Sequence, residues 1–124
     1  MKKNVLFATI SFLCVLCLWQ CNTLTTVPNE LTGIWKTKIP DYKGSFFGLQ
    51  ENTITFGTVD GEVQVFTIKK IERKNEDGEW ISFNIHYLDN NFQRCEFPIY
   101  FHPINEGILR FKNKDEVTWF REKT

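Results

Sequence analysis

From Gly33 onward, short runs rich in β-branched and aromatic residues alternate with turn residues, and there is almost no helical period. That pattern constrains the chain more than any other feature, because strands half-covered by apolar side chains must pair with one another to bury them. The spacing predicts strands over 33–38, 45–49, 53–58, 62–72, 79–88, 92–101, 107–112 and 116–121. Eight consecutive short strands joined by tight turns define an all-β, antiparallel up-and-down meander. It forms either a small barrel, whose closure removes unpaired edges, or a two-sheet sandwich. Pro98 inside a predicted strand implies a bulge or an edge at that point.

Turn residues set the expected pairings. Asp60-Gly61 reads as a two-residue hairpin turn, which pairs Phe56 with Val65 and Thr58 with Val63. A second hairpin centred on Asn90 sets Ile81 against Ile99, Phe83 against Phe97 and Ile85 against Cys95, so that one face is wholly apolar. A shift by one residue would mix buried and solvated sides. A third hairpin, turning through Asn113-Lys114-Asp115, sets Leu109 against Trp119, Phe111 against Val117 and Lys112 against Glu116.

These registers also weigh the polar candidates. Cys95 shares a face with Phe97 and Ile99 and reads as a small buried hydrophobe. His86 falls opposite Arg94 and Glu96 opposite Asn84 on the polar face, while His102 lies about 26 Å from His86 at about 3.3 Å per residue, too far to share a metal. Glu76, Asp77 and Glu79 cluster at a turn with Gly78 without the alternating oxygen ligands of a calcium loop. No H-E-x-x-H, G-x-G-x-x-G or Walker motif occurs, and Ser45 in Gly44-Ser45-Phe46-Phe47-Gly48 stands one position too early for a nucleophile elbow. No catalytic residue, metal or cofactor is assigned, and a non-enzymatic protein is expected.

The amino-terminal residues have a different character. Lys2 and Lys3 precede Val5 to Trp19, fifteen residues without charge. As a helix this run covers about 22 Å at about 1.5 Å per residue, short of the roughly 30 Å of a bilayer core. Basic, then apolar, then polar is the order of an export signal. Three cysteines, Cys14, Cys17 and Cys21, lie in this part. Cys14 and Cys17 form a C-x-x-C pair, but an apolar signal helix lacks the folded context of a redox or zinc site. Leu18-Trp19-Gln20-Cys21 resembles the lipobox of bacterial lipoproteins, with Gln20 where that family usually places Gly, Ala or Ser. The resemblance implies cleavage before Cys21, acylation of Cys21 and export to a membrane. Asn22, in place of the Asp that can mark inner-membrane retention, points to the outer membrane facing the periplasm. The expected organisation is a signal peptide over 1–20, the lipidated cysteine and a polar tether over 21–32, and one all-β domain over 33–124.

Taking twenty residues from 124 leaves 104, enough for one domain core. Lys2 and Lys3 leave with the signal, so thirteen basic residues face fifteen acidic ones. That balance argues against a nucleic-acid partner, which needs a concentrated basic patch. The densest basic run, KKIERK at 69–74, is interrupted by Ile71 and Glu72.

Gly33-Ile34-Trp35 on the first predicted strand resembles the G-x-W signature of the lipocalins and wider calycins. In that family the tryptophan plugs one barrel end and an arginine from a late strand packs across it; Arg110 and Arg121 are the candidates here. The resemblance implies a small apolar ligand inside the barrel, near Trp35, Phe56, Phe83, Phe97 and Phe111. The alternative is that these rings fill the interior and that an outer aromatic pair, Trp80 opposite Tyr100, contacts an envelope protein.

Overall fold

A computed structural model describes residues 22–75, 78–112 and 114–123. Cys14, Cys17, Cys21, Glu76, Asp77 and Asn113, which enter the sequence reading, lie outside the described residues. The strands are β1 (Asn22–Leu24), β2 (Gly33–Thr37), β3 (Phe46–Gln50), β4 (Thr53–Gly57), β5 (Val63–Asn75), β6 (Ile81–Leu88), β7 (Arg94–His102), β8 (Ile108–Phe111) and β9 (Lys114–Arg121). A 3-10 turn, Pro40–Tyr42, joins β2 to β3. All pairings are antiparallel. The ladder runs β5-β4-β3-β2-β9-β8-β7-β6 and returns to β5, closing an eight-strand barrel rather than a sandwich. This is the architecture implied by the G-x-W resemblance.

Each of the eight expected strands is present, but two hairpins turn differently from the expectation. Between β4 and β5, Thr58 N–H bonds to the Glu62 carbonyl at 2.9 Å and Gly61 N–H to the Thr58 carbonyl at 3.0 Å. The loop therefore contains Val59, Asp60 and Gly61, with Gly61 at φ 85°, a three-residue form that ends in a left-handed residue. Phe56 pairs with Gln64 and Thr55 with Val65 instead of Phe56 with Val65. Because side chains alternate with period two, this one-residue change turns Val63 and Val65 outward.

The β6–β7 hairpin differs by two residues. Asp89 N–H bonds to the Gln93 carbonyl, and the Asp89 carboxylate accepts from Asn91 N–H and Gln93 N–H. The turn centres on Asn91, so Phe83 faces Ile99, Ile85 faces Phe97 and Tyr87 faces Cys95. An even shift preserves the apolar face while changing every partner. In the third hairpin Leu109 faces Trp119 as expected, but the ladder shifts after Arg110 and Phe111 pairs with Lys114.

The interior is packed by rings and branched aliphatics. Trp35, Phe47, Leu49, Ile54, Ile71, Phe83, Ile85, Ile99 and Leu109 are fully enclosed. Phe47 is the hub, its ring centroid lying 5.2 Å from Phe97 and Trp119, 5.6 Å from Phe111 and 6.3 Å from Trp35.

Residues 22–32, expected to be a polar tether, belong to the domain. β1 pairs with β5, placing Asn22 opposite Arg73 and Leu24 opposite Ile71. Val27 and Leu31 are buried in the core. They lie in no strand or helix, and the polar residues around them left them unremarkable in the sequence.

Candidate functional site

Trp35 lies at one end of the barrel, and that end is sealed. Its indole N–H donates to the Leu31 carbonyl at 3.0 Å, and its ring is nearly parallel to Phe47, at 13°. Cross-strand pairing sets Trp35 opposite Arg121, whose guanidinium lies 4.9 Å from the ring centre. Of the two candidate arginines, Arg121 makes the packing implied by the G-x-W resemblance, a cation over an aromatic face. Its Nη2 also donates to the Glu30 carbonyl. Gly33 is fixed by the same contact: at φ 139° it adopts a conformation that side chains rarely take, and a Cβ there would press on the Arg121 stem at 3.2 Å. Arg110 packs elsewhere, over Trp80.

The wall opens elsewhere. β8 pairs with β7 only from Ile99 to His102. One further bond runs from Lys112 N–H to the Pro98 carbonyl at 3.3 Å. A strand residue directs its N–H and C=O to the same side, so the N–H that proline lacks would point toward β8 where its ladder stops. Beyond this edge lies a cavity of about 320 Å³, lined by Tyr42, Phe97, Pro98, Phe111, Val117 and Trp119, with Glu96 and Lys112 also on its wall. The volume is at the small end of the roughly 300–1,000 Å³ range of ligand pockets. Phe97, Phe111 and Trp119 form a packed triad, with Phe111 5.0 Å from each of the other two. The Trp119 indole nitrogen is buried and has no hydrogen-bond partner among the described residues. An unpaired buried donor costs about 1–3 kcal/mol, and the charged groups on the chamber wall itself are those of Glu96 and Lys112.

The five aromatics expected around a ligand therefore divide. Trp35 and Phe83 are wholly buried. Phe97 and Phe111 are half-buried and line the opening, and Phe56 packs edge-on to Phe97 at 5.4 Å. The sequence reading missed Trp119 as a site residue, although it had set Trp119 opposite Leu109. It also missed Tyr42, which no local pattern marks.

On the outer face the two-residue shift moves Trp80 away from Tyr100. Tyr100 instead faces Ser82 and Arg110, while Trp80 packs edge-on to His102 at 4.9 Å. Arg110 lies 4.8 Å over the Trp80 ring and Lys112 5.3 Å over the Tyr100 ring. His102 is buried, not solvated: its Nε2 meets Glu79 at 2.6 Å and its Nδ1 accepts from Ile104 N–H. His86 faces Glu96 rather than Arg94 and lies between two carboxylates, Nε2 on Glu72 and Nδ1 3.5 Å from Glu96. Cys95 keeps its expected face but is only partly buried, beside Tyr87. Burial and the neighbouring Cys95 thiol push the Tyr87 phenol above its ordinary pKa.

Comparison of the chain with protein-family models, curated proteins and solved structures gives no match.

Proposed function

We propose that this chain is a membrane-tethered bacterial envelope lipoprotein, anchored through Cys21, whose lipocalin-like barrel is a non-enzymatic module for a small apolar ligand. The reading places the ligand in the opening beside β7 rather than beside Trp35. The observation that carries it is a chamber of about 320 Å³ walled mainly by Tyr42, Phe97, Pro98, Phe111, Val117 and Trp119. A ligand suited to these walls has an aliphatic or aromatic body, and a carboxylate on it would meet the Lys112 cation.

Native mass spectrometry of the domain, offered a fatty-acid mixture, tests this reading. The expected result is a reproducible added mass that is lost on denaturation. Trp119→Phe trims the indole to a single ring and shortens the chamber wall, and should weaken binding about tenfold, or about 1.4 kcal/mol. A bare mass with every fatty acid overturns the reading. The tether is tested separately: Cys21→Ser should abolish fatty-acid labelling of the chain in cells.

The filled barrel core favours a second reading, contact with an envelope protein through Trp80 and Tyr100. Both rings are half-buried under Arg110 and Lys112, so such a partner would bring acidic groups to meet those cations. Full protection of both rings from oxidative labelling in the isolated domain would sink this idea.

A further inference from the structure

β5 spans the molecule, and the chain enters at one end of it. Asn22 lies opposite Arg73 on β5, and Cys21 precedes it directly. Consecutive Cα atoms are about 3.8 Å apart. A lipid on Cys21, or the apolar run ending at Trp19, therefore leaves almost no linker between a bilayer and the barrel. A domain held this closely lays one surface against the headgroups.

The outward side of β5 and the adjoining β6–β7 turn have the composition for that contact. Lys69, Lys70 and Arg94 line a groove of about 730 Å³. Glu96 lines it too, and Glu72 lies beside Lys70 at 3.8 Å, but both carboxylates also engage His86. Lys69 and Arg94 have no carboxylate partner among the described residues. Lys69 also borders a second depression, shared with Val65 and Phe92. Val65 is 59% exposed and Phe92 83% exposed. Phe92 holds φ 59°, a left-handed conformation unfavourable for a bulky residue, and the turn thus carries a strained phenylalanine in the open. Exposed apolar side chains beside unpaired cations match the two layers of a bilayer interface, acyl boundary and phosphate.

The geometry points to this face as the surface that rests on an anionic bilayer, with Lys69, Lys70 and Arg94 on lipid phosphates and Phe92 and Val65 at the acyl boundary. The inference rests on the tethering part of the proposed function and is independent of the ligand chamber.

The test uses the full chain reconstituted into vesicles of phosphatidylcholine alone or with phosphatidylglycerol, followed by amine labelling and residue-level mass spectrometry. Labelling of Lys69 and Lys70 should fall severalfold on the anionic vesicles and recover in high salt, while Lys36, on β2, labels equally on both. Flotation with the vesicles and equal labelling of Lys69 and Lys70 on both overturns the face and leaves the tether standing. Failure to float with either vesicle overturns the tether and this face with it. Protection by inorganic phosphate on neutral vesicles would assign the groove to a soluble anion and overturn the membrane assignment.

Discussion

The sealed Trp35 end of the barrel and the opening beside β7 are built from the same kind of residue and behave differently. At the sealed end Trp35 has its N–H bonded to Leu31, one face against Phe47 and the other under Arg121. At the opening Trp119 has equally good ring neighbours, yet its N–H is unpaired among the described residues and the wall beside it lacks a strand partner. The difference comes from backbone supply. The strap 22–32 brings carbonyls to the sealed end, whereas β8 is only four residues long and leaves its side of β7 uncovered. A hydrogen-bonded indole between a stacked ring and a cation makes a plug, whereas rings beside an uncovered strand edge leave an open chamber.

That contrast can be broken by mutation. Trp35→Ala should have the largest effect, about 3–5 kcal/mol, seen as loss of cooperative unfolding in a denaturant titration. Leu31→Ala should cost about 2–5 kcal/mol, although it lies outside the eight-strand ladder; a loss under about 0.5 kcal/mol, the usual range for surface sites, would show that the strap is not part of the plug. Phe92→Gly should raise stability by about 1 kcal/mol or more by relieving the positive φ, and should weaken attachment to anionic vesicles.

The smallest effect concerns pH. Tyr87 packs against Phe56 and Phe66, and its folded phenol pKa is raised above the ordinary 10.0. Its neutral form is favoured in the folded state, so its contribution is fully present below about pH 10 and is lost as the pH rises through the folded value. Tyr87→Phe should therefore flatten the fall in stability above pH 10, measured as urea midpoints.

Strand existence was legible in the sequence because burial imposes alternation, and all eight barrel strands were found on that basis. Register was less legible, since it depends on loop length. Asp60-Gly61 reads as a two-residue turn, but the Thr58–Glu62 bond adds Val59 to the loop, and the change moves Val63 and Val65 from core to surface. At the next hairpin the Asp89 carboxylate capping two N–H groups moved the centre to Asn91. β1 was invisible because Asn22-Thr23-Leu24 has no local strand signal and is extended only by its partner on β5. Of the site, Trp35 and Arg121 were reachable through G-x-W. The chamber beside β7 was not, since it depends on where β8 stops.

The barrel's circumference is completed by joining β2 to β9: Trp35 pairs with Arg121, and Glu122 N–H bonds to the Ile34 carbonyl at 2.7 Å. The first barrel strand thus waits for the last. A chain delivered amino terminus first can form hairpins as it emerges, but β2 keeps an unpaired edge until residue 122 arrives. Contacts so distant in sequence form late, and an open edge invites pairing with other chains in the meantime. For this topology the interval before β9 is available matters, because β2 presents its free edge throughout it.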